Sequence, residues 1–326
     1  MKVLLTPTAL LDAALLVVGV AVIALLPAVA GGYTEIEMVN VGVYFIAIIG
    51  LNVVSGYSGQ ISLGHGAFMG LGAYTTSVLY TKYDIGTHWS IPVAGVLAGL
   101  VGFLFGFPAL RLTGVYLALA TFGLAVAFIS LAQSSHFQGL TGGFNGVSVG
   151  LPQTPYYLTW GIALGMFVAA WLILRGRFGR RFRAVRDAPI AAVSSGVNIA
   201  LVKAFAFGLA ALYGGVAGAL YAISKGFVSP LAFPVSLSIL LLTGAALAGF
   251  GSLRGSIFGA VFIEFAPRYG EHLSKEAPSV MYGLILLAIL FVMPGGAAAL
   301  LRTLLSLLKR VSAARYSRSA GRRVAT

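Results

Sequence analysis

Residues 175–200 read RGRFGRRFRAVRDAPIAAVSSGVNIA, and six arginines (Arg175, Arg177, Arg180, Arg181, Arg183 and Arg186) fall within twelve positions of this stretch. Guanidinium groups are costly at the centre of a bilayer, so a segment carrying six of them stays in water. The excess of Lys and Arg in loops beside membrane spans assigns that water to the cytoplasmic side. After Asp187, Pro189 opens a small-residue run from Ile190 to Ser195 that stops at Gly196. Proline in the first turn and glycine past the last predict a helix of about two turns. Such a helix on a positive loop has two readings. It is either an interfacial connector that only sets topology, or a docking element for a cytoplasmic partner; the rest of the chain favours docking.

The chain around this stretch is oily. Hydrophobic residues are 59% of 326 positions, charged residues 9%, and mean hydropathy is +0.97. A soluble domain is about 25% charged, so the composition specifies an all-α polytopic membrane protein. The 43 glycines fit that class, because small residues let helices approach closely where lipid offers no hydrophobic drive between them. There is no cysteine, which excludes disulfides and thiolate metal sites. The net charge of +13 does not indicate nucleic acid. Its main contributors are the 175–186 cluster and a second one of Arg302, Lys309, Arg310, Arg315, Arg318, Arg322 and Arg323. Both adjoin apolar spans, so they read as topology determinants and as contacts for anionic membrane lipid.

A crossing helix needs about 20 residues. On that ruler the sequence offers ten spans, at roughly 10–30, 36–54, 60–80, 91–110, 114–134, 156–174, 201–223, 234–250, 254–267 and 279–297. The ninth is short and reads as part of a helical hairpin. The N-terminal run resembles a signal peptide in outline, but its length and Asp12 favour an uncleaved first span. Starting inside, ten crossings place the 175–200 segment and both termini in the cytoplasm. Glu35, Glu37, Asp84, Glu271 and Glu276 then fall outside. Residues 135–156 form the longest outer segment, a folded loop or a plain connector by its Gly, Pro and Asn145 content. The expected division is a permease domain over 1–311, with a coupling loop at 175–200, and a basic disordered tail over 312–326.

The most unusual membrane segment is Gly56–Gly70, GYSGQISLGHGAFMG, where a third span must begin. Glycine weakens a helix by about 1 kcal/mol relative to alanine, and broken backbone survives at membrane depth only where protein buries it or a cavity wets it. The break reads as path-lining, as tight packing, or as both. Residues 244–260, GAALAGFGSLRGSIFGA, faintly echo the 59–73 run and suggest two related halves. His65 has no second ligand nearby in sequence and reads as a packing residue rather than a metal ligand or proton relay. Glu264 is the one acid well inside a late span, a functional candidate by default, unless it reaches the interface or pairs with Arg268. No Gly-Lys dipeptide occurs, so no Walker A loop is present. The chain is expected to hydrolyse no nucleotide and to hold no cofactor or metal of its own.

These residues together resemble the branched-chain amino-acid ABC permease family, in particular its LivM-type subunit. The resemblance rests on 52–68 (NVVSGYSGQISLGHGAF), 111–118 (RLTGVYLA), 141–146 (TGGFNG), 175–196, 217–222 (AGALYA) and 294–296 (PGG). It implies a subunit of the bacterial inner membrane that pairs with a second, LivH-like permease, two cytoplasmic ATPases and an extracytoplasmic substrate-binding protein. ATP and magnesium would then sit on the ATPases. By the same resemblance Arg186, Asp187, Ile190, Ala191, Ala192, Val193, Ser194 and Gly196 form the ATPase-coupling segment. Relatives tend to carry an acid within that helix, whereas Val193 and its neighbours are neutral, so apolar contacts plus Asp187 and the arginines are expected here. A zwitterionic substrate needs donors and acceptors with little net charge, which suggests Asn52, Gln60, Ser62, His65 and Thr121 along the translocation pathway. Within the class, urea, short amides and aromatic acids stand beside branched-chain amino acids as substrates. An ion-coupled secondary transporter is the alternative of another class; intramembrane acids are too few to favour it.

Overall fold

The computed structural model describes residues 32–109, 114–150 and 155–273, with isolated positions outside these ranges. Within these ranges the first helix, α1 (Gly32–Leu51), ends in a π-helical turn, Asn52–Tyr57. There follow α2 (His65–Tyr83), α3 (Thr87–Ala109), α4 (Val115–Gln133), the short α5 (Gln138–Thr141) and α6 (Tyr156–Arg175). Then come α7 (Arg177–Asp187), α8 (Pro189–Ser194), α9 (Ile199–Lys225), α10 (Val235–Ala248) and α11 (Ser256–Leu273).

Six stretches are long and apolar enough to cross a membrane: Thr34–Tyr57, Thr87–Pro108, Val115–Gln133, Tyr156–Arg175, Ile199–Lys225 and Pro230–Ala248. The expected count of ten is therefore not reached among the described residues. Two expected spans, 10–30 and 279–297, lie wholly or largely outside them, as do the 312–326 tail and the basic cluster from Arg302 onward. The helix at the expected third span starts at His65 rather than 60, because the break occupies residues 58–64, and it is not one of the six. The ninth is longer than expected and runs Ser256–Leu273, although its apolar part stops at Pro267.

The 27-residue α9 is the centre of the bundle, packed between α3, α2 and α1. Its small residues decide this. A Cβ placed on Gly72 of α2 would stand 2.1 Å from the Gly215 carbonyl oxygen of α9, so the two backbones touch. Close approach through small residues is how membrane helices gain packing energy. Tyr213, buried in α9, places its hydroxyl 2.8 Å from the Met166 carbonyl of α6, to which it donates. By contrast α4 and α6 are mostly uncovered, and residues such as Val115, Leu119 and Leu172 are more than half exposed.

The described part of the 135–156 segment, residues 135–150, is folded. Thr141 Oγ1 donates to the Ala132 carbonyl at 2.6 Å, and Lys82 Nζ donates to the Gly139 carbonyl. Strand β1 (Val147–Ser148) pairs antiparallel with β2 (Phe227–Val228), in register Val147 with Val228, which ties the loop to the end of α9. This loop and the arginine segment lie at opposite ends of α6.

Candidate coupling site

The arginine segment folds as a helix laid against the bundle end. In α7 the buried residues are Gly179, Phe182 and Val185, at helical spacing, and the arginines occupy the other faces. Phe178 and Phe182 stack on Phe205 of α9, with ring centroids 4.7 and 6.3 Å apart, and so anchor the helix. Ala188, non-helical at φ −148° and ψ 73°, separates α7 from α8, which opens on Pro189 as expected. It closes with the Val197 N–H bonded to the Ala192 carbonyl (3.0 Å) around Gly196 at φ +78°, the pairing of a glycine-terminated helix. Asn198 then caps α9 by accepting from the Leu201 N–H at 3.1 Å.

On this two-turn helix Ile190 is 83% exposed and Val193 57%, one turn apart on the outer face. Ala191, Ser194 and Gly196 are exposed too. Ala192 is buried against the bundle, so its side chain does not stand on the outer face with its neighbours.

Arg186 also points elsewhere than outward. Its Nη1 donates to the Gly56 carbonyl at 2.5 Å, while Nε and Nη2 donate to the Asp187 carboxylate at 2.7 and 3.4 Å. The hydrogen bond from Arg186 holds the Asp187 carboxyl below its usual range, helped by the nearby positive charge of Arg186 and Arg183. Gly56 lies in the last turn of the π-helical segment, where carbonyls lack helical partners and the helix dipole is negative. An arginine from a different element thus caps that end. The Arg186 stem lies over Gly59, at φ +70°, where an added Cβ would be 2.6 Å from Arg186 Cγ.

The two glycine-rich breaks meet at this cap. A Cβ on Gly56 would stand 2.2 Å from the Gly251 nitrogen. Asn52 bridges them, accepting from the Gly251 N–H at 3.1 Å and donating to Ser256 Oγ at 3.0 Å. The faint echo between 59–73 and 244–260 therefore has a structural counterpart: each lies where a helix breaks and a second one starts. In each break a serine hydroxyl accepts from a backbone N–H ahead of the restart, Ser62 from Gly64 (3.4 Å) and Ser252 from Gly255 (3.2 Å). Beside the breaks a cavity of about 300 Å³ is lined by Tyr57, Trp171, Leu174, Arg175, Arg183 and Leu253.

All five residues suggested for the pathway are buried, and most of their polar atoms are used inside the chain. Asn52 joins the breaks. Gln60 Nε2 donates to Ser58 Oγ at 2.6 Å, and the Gln60 main-chain carbonyl accepts from Ser55 Oγ. Thr121 Oγ1 accepts from the Leu63 N–H at 2.9 Å and holds the break to α4. His65 opens α2, fully enclosed, with Nε2 unpartnered. Sequence reasoning did not single out Ile61, which is 48% exposed on the open side of the break. Glu264 accepts from Asn40 Nδ2 at 2.9 Å, a partner 224 residues away that no local pattern indicates.

The protein-family profile described as "Branched-chain amino acid transport system / permease component" matches residues 33–293. The chain is 32% identical over 285 residues to the high-affinity branched-chain amino acid transport system permease protein LivM of Escherichia coli, covering 76% of this chain. The match spans 66% of that relative's length, just under two thirds. It is 25% identical over 279 residues to the permease protein LivH of Salmonella typhimurium, covering 78% of this chain and 90% of the relative. BraD of Pseudomonas aeruginosa, a permease protein of the same transport type, is 24% identical over 276 residues (76% and 89%). With the profile spanning most of the chain and broken helices meeting at an arginine-rich segment, the protein belongs to the permease family of branched-chain amino acid transport systems.

Proposed function

We propose that the chain is one transmembrane permease subunit of an ATP-driven importer whose substrates are branched-chain or other hydrophobic amino acids. One observation carries the reading: a two-turn helix with Ile190 and Val193 exposed, standing on an arginine helix at one end of the bundle. A helix built only as a connector gains nothing from presenting two large apolar residues to water, whereas a docking helix buries them in a cleft of its partner. Docking partners are two cytoplasmic ATPase subunits, which bring ATP and magnesium. A LivH-like second permease and an extracytoplasmic binding protein complete the assembly, and the positive charge of residues 175–186 supports a cytoplasmic position for this end in an inner-membrane protein.

On this reading the ATPases move α8, the two breaks shift against each other, and substrate passes beside them. The exposed Ile61 suits an apolar side chain, and the backbone of residues 60–62 with the Ser62 hydroxyl suits the zwitterionic end. Proteoliposomes holding this chain with its partner permease and ATPases test the proposal. Leucine uptake driven by internal ATP and dependent on the binding protein is expected. Uptake by this chain alone that an uncoupler abolishes and ATP depletion does not would overturn it.

A further inference from the structure

We propose that Arg186 is the residue that carries movement of the short helix to both broken helices, a positioning residue rather than an ATPase contact. The inference rests on the permease reading above.

Among the described hydrogen bonds, Arg186 is the one residue of α7 that bonds to the broken end of α1, whereas Arg175 closes α6 and lies 4.0 Å over the Trp171 ring of its own helix. Arg186 stands three residues before Pro189, so displacement of α8 is felt at its backbone within one turn. Its guanidinium is held at two places. Asp187 fixes one edge from the loop side, and the Gly56 carbonyl receives Nη1 on the bundle side. A charge-assisted bond to an unsatisfied helix-end carbonyl is strong for its size. The next link is already present. Asn52, one turn before Gly56, grips the Gly251 N–H and Ser256 Oγ across the second break. Arg186 to Gly56, and Asn52 to the Gly251–Ser256 turn, are hydrogen bonds, and the main chain from Arg186 to Pro189 and the π-helical turn from Asn52 to Gly56 join them into one path between the docking surface and both discontinuities. The glycines serve the same contact: a side chain at Gly59 would displace the Arg186 stem, and one at Gly56 would part the breaks. Spatial continuity alone does not establish energetic coupling, so the test measures coupling.

The complete transporter is reconstituted with Arg186→Ala, Arg186→Lys, Asn52→Ala and the Arg186→Ala/Asn52→Ala pair, and uptake is divided by ATP hydrolysed. Arg186→Ala is expected to assemble with the ATPases and hydrolyse ATP, with uptake per ATP lower by about tenfold, the scale of one lost charge-assisted hydrogen bond. Lysine, which keeps the charge and can reach one acceptor, restores part of the loss. The double variant loses no more than the worse single one, because both residues lie in one chain of contacts. Normal uptake per ATP in Arg186→Ala, additive losses in the pair, or loss of ATPase assembly without loss of coupling would each overturn the proposal. If the alanine variant does not accumulate, Arg186→Lys with and without Asn52→Ala is read by the same criterion. Absence of ATP-driven uptake in the unaltered complex would instead sink the permease reading itself.

Discussion

Arg186 Nη1 and the Gly56 carbonyl oxygen lie 2.5 Å apart although 130 residues separate them in the chain. The contact joins the segment that leaves the membrane to the point where α1 unwinds. It also explains the glycines around it, because Gly56, Gly59 and Gly251 stand where a β-carbon would meet backbone or the arginine stem, or need a left-handed backbone.

Substitution at the contact itself should therefore destabilise. Gly56→Ala places a methyl against the Gly251 backbone, with costs of overpacking on the order of 1–3 kcal/mol. Gly59→Ala adds a positive φ to a clash with Arg186, for a penalty of about the same size. Lower midpoints than wild type in thermal unfolding of the purified, detergent-solubilised protein are expected for both. A wild-type midpoint for Gly56→Ala would show that the breaks are not in van der Waals contact.

Part of this was legible in sequence. The density of glycine at 56–70 marked a helix that could not run through, and Pro189 with Gly196 bounded a two-turn helix that the structure reproduces as Pro189–Ser194. What joins these segments was not legible. Arg186 to Gly56, Asn52 to Gly251 and Asn40 to Glu264 each depend on the register of elements far apart in the chain, which no local periodicity encodes. The same limit explains Ala192, which shares its composition with exposed Ala191 and differs only in the face it presents.

The outer face of α8 supplies a prediction that separates docking from packing. Ile190→Asp and Val193→Asp change residues that touch water in the isolated chain, so expression and melting of the permease should be unaffected. Copurification of the ATPases should fall, because a charge buried unpaired in an apolar cleft is costly. Ala192→Asp should instead impair folding. Pull-down of the ATPases at unchanged yield by Ile190→Asp would refute docking on this face.

Sidedness is directly accessible because the chain has no native cysteine. Cysteine at Ser194 should react with a membrane-impermeant maleimide only after the cytoplasmic face is opened. Cysteine at Phe144, 73% exposed in the loop at the other end of α6, should react from outside in intact cells. Reversed labelling would contradict the positive-inside assignment of the arginine segment.

Glu264 tests the ion-coupled alternative. Its carboxylate accepts from Asn40 Nδ2, and an amide in its place can still accept that bond through its oxygen. Glu264→Gln should keep ATP-driven uptake within about twofold, since only the charge is lost and one hydrogen bond is retained. Glu264→Leu strands the Asn40 amide and should lower the melting midpoint. Complete loss of uptake in Glu264→Gln with normal folding would mean that the carboxylate itself is titrated during transport.

The Asp187–Arg186 pair makes a prediction about pH. The folded carboxyl is held below its ordinary range by the hydrogen bond from Arg186, so the contribution of the pair is complete above that range, near 3.9 for a free aspartate. It is lost only as pH falls through the lowered value. From pH 7 to about 5, still above the free-aspartate range, uptake per ATP in the reconstituted transporter should stay level as far as this pair governs it. The pair is exposed and screened by salt, whereas the bond from Nη1 to Gly56 is part-buried. Asp187→Asn should consequently change uptake per ATP by no more than about twofold, the scale of an exposed pair, against the much larger loss expected of Arg186→Ala. Equal losses in the two variants would mean that the aspartate, not the Gly56 carbonyl, holds the guanidinium in place.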